Sequence, residues 1–191
     1  AASAAAKPKL YDETQGGSLS DEKPEEFKKE EALCHKRAAL LLAKAQEMEP
    51  DSVKVVMAIA SLEARRGKID RIREIFEAAE KRGIRHKNGA MYNMWANQEA
   101  KAGNVEEAIE VLERGRTQLP FDHTLPQAQG ALESKRKNFE AARELYHVSL
   151  CLRPHGPTYC AWAIMEQKLN HIDRARELFQ AGLQAAPFHG P

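Results

Sequence analysis

The chain has 191 residues, of which 42% are hydrophobic and 30% are charged, so it can bury a core as one long domain or as an array of small units. Its 29 lysines and arginines nearly balance 28 aspartates and glutamates, which excludes a strong overall basic field of the kind that favours nucleic acid. Cys34, Cys151 and Cys160 are too few for a secreted disulfide framework, and no apolar run reaches the roughly 18 residues of a membrane span. The composition predicts a soluble chain in a reducing compartment.

The first 50 residues divide into a tail and a charged segment. Residues 1–20 are mostly small and polar and predict a flexible tail. The start of this tail is similar to the region at or just after an organellar transit peptide, although short linkers share its composition. In residues 21–50, Pro24 can take the first position of a helix, and no helix breaker follows before Pro50. This segment predicts one long helix or a poorly separated pair, as a degenerate leading repeat or a cap.

An internal repeat begins at residue 51. Aligned on one column, Ile59, Trp95, Gln129 and Trp162 are 36, 34 and 33 residues apart, and a glutamate follows each of them four residues later. The predicted repeats are 51–88, 89–123, 124–155 and 156–188. Prolines close most of them, at Pro120, Pro154 and Pro187. The tripeptide His-Gly-Pro at 155–157 recurs at 189–191, where it predicts the start of a further repeat.

Each repeat has the apolar spacing of helices, with contacts expected every three or four residues. The first helix is expected to end near Gly67, Gly103, Lys137 or Asn170, because glycine and asparagine accept the left-handed backbone that terminates a helix. A second helix then runs back against the first. Such a pair cannot bury both of its faces alone, so the sequence predicts an all-α, right-handed superhelical solenoid of antiparallel helix pairs.

The segments WANQEAKAGNVEEAIEVLERG and WAIMEQKLNHIDRARELFQAG resemble half-a-TPR (HAT) repeats, a TPR-like family. The resemblance covers residues 51–187 and is weaker where Ile59 and Gln129 replace tryptophan. The chain looks most like the plant and algal HAT proteins that bind the 5′ regions of chloroplast transcripts. That resemblance implies a chloroplast stromal protein that protects, processes or helps to translate RNA, together with partners from an RNA-processing or photosynthetic assembly.

One column of charged residues predicts a structural role. An arginine lies ten residues after the repeat glutamate in three repeats, and in a helical hairpin this offset predicts structural ion pairs between the two helices of one repeat. The predicted pairs are Glu63 with Arg73, Glu133 with Arg143, and Glu166 with Arg176.

A second column is basic in every repeat and predicts a ladder of cations on the inner face of the first helices. Its members are Arg65, Lys101, Lys135 and Lys168. The same face adds the polar side chains of Asn93, Asn97, Gln127, Ser134 and Gln167. Cations could follow the phosphates of single-stranded RNA while amides reach base edges. The helix dipole alone also favours lysine near a helix C-terminus, so a purely structural role stays open.

Histidines and cysteines do not predict a metal site. His147, Cys151, His155 and Cys160 have zinc-ligand chemistry but not the spacing of a zinc knuckle or finger, and they are expected on different faces. His86, His123, His155 and His189 instead fall in turns between repeats.

Function is predicted to be binding rather than catalysis. The phosphate-binding, dinucleotide-binding and zinc-protease motifs are absent from the sequence, and no catalytic residue, cofactor or small-molecule substrate is predicted. Two functions remain open. One is an RNA-binding protein that uses the basic column, and the other is a protein–protein scaffold or structural subunit of a larger complex that uses the same groove.

Overall fold

The computed structural model describes residues 25–84 and 89–185, which form nine α-helices and no strand. The helices are α1 (Glu25–Met48), α2 (Val53–Arg65), α3 (Ile69–Lys81), α4 (Ala90–Ala102), α5 (Val105–Gln118), α6 (Thr124–Lys135), α7 (Phe139–Leu152), α8 (Gly156–Lys168) and α9 (Ile172–Ala185). The predicted all-α fold is therefore confirmed. The predictions for residues 1–20, His86, Pro187, His189 and the tripeptide at 189–191 lie outside the described residues.

The chain reverses direction after each first helix through a residue in the left-handed conformation. Gly67, Gly103, Lys137 and Asn170 have φ angles of 68°, 93°, 66° and 64°, as the sequence predicted. Each reversal is closed by a backbone hydrogen bond to the repeat glutamate, such as the bond of 2.9 Å from the Asn138 N–H to the Glu133 carbonyl. The repeat glutamate, four residues after the aligned column of Ile59, Trp95, Gln129 and Trp162, therefore lies in the last turn of the first helix.

The helices form two layers. The helices α2, α4, α6 and α8, called the inner helices below, approach one another closely in sequence, whereas the backbones of α3, α5, α7 and α9, called the outer helices, stay further apart in the described structure. Long side chains still cross between outer helices, as in the ion pair of 3.3 Å between Arg114 of α5 and Glu80 of α3. Each outer helix packs against the inner helix before it, and α3, α5 and α7 also pack against the inner helix that follows. Because the backbones approach one another closely only in the inner layer, the stack curves with the inner helices on its concave side.

Small residues allow the two layers to approach closely. Ala79, Gly115, Ser149 and Gly182 occupy the same place in the four outer helices, and all four are buried. A Cβ atom added to Gly115 would lie 2.7 Å from the Tyr92 ring, so only glycine fits at that crossing.

The leading segment forms a single long helix, α1, which packs on α2. It leaves large apolar side chains exposed, among them Leu40 and Leu41 at 72% and 71% exposure. The segment is thus one continuous helix rather than a separated pair.

Candidate functional site

The ion pairs predicted within each repeat are wrong, because two of the arginines connect successive helix pairs instead. Arg73 of α3 donates two hydrogen bonds of 2.7 Å to the carboxylate of Glu99 in α4. Arg143 of α7 donates bonds of 2.7 and 2.9 Å to Glu166 in α8. Glu63, Glu133 and Arg176 do not pair with the residues ten positions away among the described contacts.

The acceptor glutamate is held by its own helix as well. The indole N–H groups of Trp95 and Trp162 donate to Glu99 and Glu166 at 3.2 and 3.0 Å. Hydrogen bonds from Arg143, which outweigh the burial of the carboxyl group, lower the pKa of Glu166 to about 2. Burial acts to raise the pKa of Glu99, but hydrogen bonds from Arg73, Asn104 and Trp95 outweigh it and the pKa is lowered. Both carboxylates are therefore charged at neutral pH.

In the other two repeats, the preceding helices have no arginine at the position of Arg73 and Arg143. There the glutamate lies near an arginine at the end of its own helix. Glu63 accepts a bond of 2.9 Å from Arg66, and Glu133 lies 3.7 Å from Arg136. The equivalent positions after Glu99 and Glu166 hold Ala102 and Leu169. This alternation was readable from the sequence, since an arginine three residues after the glutamate occurs only where the preceding repeat has no arginine at the position of Arg73 and Arg143. It was missed because only offsets within one repeat were compared.

The contact between an outer helix and the next inner helix is called a joint below. Aromatic rings stack at the two joints that Arg73 and Arg143 form. The Phe76 ring of α3 lies 5.5 Å from the Trp95 ring of α4, and the Tyr146 ring of α7 lies 6.2 Å from the Trp162 ring of α8. At the middle joint, Gln129 takes the place of tryptophan and bonds to α5. Its amide accepts from Arg116 at 2.9 Å and donates to Glu113 at 3.2 Å. The glutamates and tryptophans are thus parts of the joints between helix pairs rather than of an open site.

The basic column lies on the surface of the inner helices. All four of its side chains are exposed in the last turn of an inner helix, and none makes an ion pair within the described structure. They are Arg65, Lys101, Lys135 and Lys168. We call this set the inner cation row.

The inner helices expose no carboxylate in the described structure. Their only acidic residues are the four repeat glutamates, and all four are buried. The outer helices, in contrast, contain more acidic than basic residues. A chain of nearly neutral net charge is therefore divided into a cationic concave side and a more acidic convex side.

The predicted amide residues do not all belong to the open surface. Asn97 and Gln167 are exposed, while Gln127 and Ser134 are half-buried. Asn93 is half-buried and donates a hydrogen bond of 2.8 Å to Thr124 at the start of α6. Its amide holds adjacent inner helices together, which leaves the exposed Asn97 and Gln167 as the amides beside the inner cation row.

The histidines and cysteines considered as metal ligands form two separate pairs rather than one cluster. Cys151 and His147 are 3.6 Å apart on α7, and the rings of His123 and His155 meet edge to face at 5.0 Å. Among the described residues, three or more potential metal ligands do not come together anywhere. Likewise, none of the described helices combines the length and apolarity that crossing a bilayer requires.

One end of the inner cation row borders a cavity between α1 and α2. The cavity has a volume of about 740 Å³ and is lined by Phe27, Cys34, Leu62 and Arg65, among others. Arg65 thus differs from the three lysines in that an apolar wall stands beside its charge.

Known structures and a family model match this arrangement. MamA has a TM-score of 0.61 at 14% identity, with 86% of this chain and 95% of that one covered. PilF of Pseudomonas aeruginosa also has a TM-score of 0.61, at 19% identity over 84% of this chain and 72% of its own. YrrB, a TPR protein, has a TM-score of 0.56 at 15% identity over 84% and 82% of the two chains. These likenesses establish the TPR-like solenoid fold.

No curated protein matches the sequence. A family model does match residues 49–189, which is more than half of the chain, and it is described as the pre-mRNA-splicing factor Syf1/CRNKL1 C-terminal HAT repeat. Both Trp–Glu pairs and the arginines that bond to their glutamates lie within that range. The chain therefore belongs to the Syf1/CRNKL1 C-terminal HAT-repeat family.

Proposed function

We propose that this protein is a scaffold that holds an acidic segment of a partner protein along its inner helices. The observation that carries the proposal is the division of charge. The exposed charges of the inner helices are all cationic, while their glutamates are buried in the joints. A partner with spaced carboxylates would neutralise the inner cation row without displacing any ion pair of the described structure.

The side chains between these cations suit a peptide better than RNA. All four aromatic rings of the inner helices are buried or half-buried, namely Tyr92, Trp95, Tyr159 and Trp162. Readers of single-stranded RNA commonly stack bases on exposed aromatic rings. The inner helices instead offer Asn97, Gln167 and the half-exposed Ile164, which can bond a peptide backbone or contact an aliphatic side chain. The structural neighbour YrrB is described as a TPR protein with an unusual peptide-binding site, so a peptide is compatible with this fold.

RNA is the second candidate, and the same inner cation row favours it, because cations at regular spacing can follow a phosphate backbone. The description of the matched family as a pre-mRNA-splicing factor supports this candidate. The complete RNA hypothesis is that the chain is a chloroplast stromal protein. It would shield transcripts along the concave groove and work with an RNA-processing or photosynthetic assembly.

A competition between two probes separates the candidates. Fluorescence anisotropy would be measured with a labelled acidic peptide of about 20 residues and with oligouridine of about 20 nucleotides, each over a salt series. The triple variant Lys101→Ala, Lys135→Ala, Lys168→Ala removes the lysines of the inner cation row. A matched variant, Arg71→Ala, Lys81→Ala, Arg153→Ala, removes three exposed charges from outside the inner helices.

The scaffold proposal predicts that the peptide binds more tightly than the RNA and that the lysine variant lowers peptide affinity at least about tenfold. The matched variant should change it less than about threefold. Tighter RNA binding, with a salt slope that falls by about 2 in the lysine variant, would establish the second candidate instead. If the lysine variant binds both probes like the unchanged protein, the inner cation row is not the site.

A further inference from the structure

The last helix of the described structure, α9, carries an arginine and an aromatic residue like those with which α3 holds the next inner helix. In α3, Arg73 and Phe76 are three residues apart on one side of the helix. Arg73 bonds to the Glu99 carboxylate through two nitrogens at 2.7 Å, and Phe76 stacks on Trp95 at an interplanar angle of 19°. The indole of Trp95 also donates a hydrogen bond to Glu99, so the tryptophan and the glutamate hold each other in place where they contact α3.

The joint between α7 and α8 repeats this arrangement. Arg143 bonds to Glu166 at 2.7 and 2.9 Å, and the Tyr146 ring stacks on Trp162 at an interplanar angle of 23°. Two separate joints therefore use one rule. The outer helix carries an arginine and, three residues later, an aromatic ring. The arginine bonds to a glutamate of the inner helix, and the ring stacks on the tryptophan four residues before that glutamate.

In α9 the same two positions hold Arg176 and Phe179. The side chain of Arg176 is 65% exposed, against 34% for Arg73 and 17% for Arg143. Phe179 is half-buried, whereas Phe76 and Tyr146 are almost completely buried. The receiving half of a joint is thus present on α9 without a described helix to fill it.

Arg176 is already oriented by a neighbour, as in the filled joints. Asp173 accepts its bond at 3.0 Å, just as Asp70 bonds to Arg73 at 3.2 Å and Glu140 bonds to Arg143 at 2.5 Å. In the filled joints this acid occupies one terminal nitrogen, and the other two nitrogens bond to the incoming glutamate. Because Asp173 accepts from only one terminal nitrogen of Arg176, the other two nitrogens can bond to a second carboxylate.

We propose that the α9 end surface, formed by Arg176, Phe179 and Leu183, binds a helix of a partner protein that carries a tryptophan and, four residues later, a glutamate. The glutamate accepts two hydrogen bonds from Arg176, and the indole stacks on Phe179. Leu183, which is 70% exposed, adds apolar contact one turn further along. Trp95 and Trp162, the two tryptophans of the sequence, are both buried at joints within the described structure, so neither of them can occupy this surface.

The probe for this surface is a peptide with the sequence of residues 153–170, which contains α8. A hydrocarbon staple on the side opposite Trp162 and Glu166 would hold it helical. Its binding to the full chain would be measured by fluorescence anisotropy. A second peptide carries Glu166→Gln, and the protein is studied unchanged and as Arg176→Gln. Lys81→Gln is the matched control, since it removes one exposed positive charge from α3.

The proposal predicts that Arg176→Gln and the E166Q peptide each weaken binding at least about tenfold, and that combining them causes little further loss. Arg176→Glu should bind poorly to the original peptide and should recover binding to a peptide with Glu166→Arg. Lys81→Gln should bind like the unchanged protein. The proposal is wrong if the peptide shows no saturable binding up to about 1 mM. It is equally wrong if the Arg176 variants bind the peptide like the unchanged protein.

Discussion

Two arginines of the outer helices and two lysines of the inner helices have opposite surroundings. Arg73 and Arg143 on the outer helices each bond to a buried carboxylate of the next inner helix and to an acid three residues earlier. Lys101 and Lys135 on the inner helices are exposed and have no described ionic partner. The comparison teaches that the position of the carboxylates, rather than the number of cations, separates the arginines that hold the helix pairs together from the exposed cations that are proposed to bind a partner.

The largest effect is expected from removing an outer-helix arginine. Arg143→Met keeps most of the side-chain volume but removes both hydrogen bonds from Arg143 to the fully buried carboxylate of Glu166, which keeps only His171 at 2.7 Å, Arg174 at 3.8 Å and the Trp162 indole. Loss of one partner of a buried pair costs about 3–5 kcal/mol of unfolding free energy. Urea denaturation followed by circular dichroism would measure it. Arg153→Met, at an exposed position after α7, is the control and should stay within about 0.5 kcal/mol. A similar loss in both variants would contradict the assigned role of Arg143.

Acid should weaken the same joint. The pKa of Glu166 is about 2 in the folded chain, against 4.5 for the ordinary group. Because the folded value is the lower one, the stabilisation is fully present above about pH 4.5 and is lost as the pH falls towards 2. The contribution is on the order of 3 kcal/mol. Unfolding free energies between pH 2 and pH 6 would measure it. Glu166→Gln should show a shallower pH dependence over that range, and an unchanged slope would count against this assignment.

A smaller effect is expected at the middle joint, where the arginine comes from the same helix as the glutamate. Arg136 is 41% exposed and approaches Glu133 only to 3.7 Å, while Asn138 donates to Glu133 at 3.0 Å. Arg136→Met should therefore cost only about 1 kcal/mol of unfolding free energy, measured by urea denaturation beside Arg143→Met. Equal costs for the two substitutions would remove the distinction between the joints.

The smallest effect on stability is expected for the inner cation row. Replacing Lys101, Lys135 and Lys168 together by alanine removes no described ion pair, so the unfolding free energy should change by less than about 1 kcal/mol. Thermal unfolding followed by circular dichroism is sufficient to detect a larger change. A loss near that of Arg143→Met would mean that these lysines have a structural role.

Much of the fold was predictable, because periodic apolar positions and left-handed turn residues are local properties of the sequence. Lys137 and Asn170 were identified as helix ends by alignment with Gly67 and Gly103, and their positive φ angles confirm it. The partner of Arg143 was not predictable from offsets within a repeat. Whether an arginine reaches the glutamate ten residues before it or the one 23 residues after it depends on how successive pairs stack.

The availability of the surface residues also required the structure. Asn93 and Asn97 are both amides expected on the inner face, yet Asn93 is held by Thr124 of the next inner helix. Only three-dimensional contact between α4 and α6 distinguishes them. The cations of the inner row were found from the sequence, but the burial of every carboxylate beside them was not.

The most direct test of the proposed binding face is a chemical-shift map of the full chain in solution, recorded by ¹H–¹⁵N NMR as the acidic peptide is added. The scaffold account predicts perturbations in the last turns of α2, α4, α6 and α8, around Arg65, Lys101, Lys135 and Lys168, with the outer helices unchanged. Perturbations concentrated on α3, α5 or α7 would contradict the account. So would a spectrum that does not change at a peptide concentration of about 1 mM.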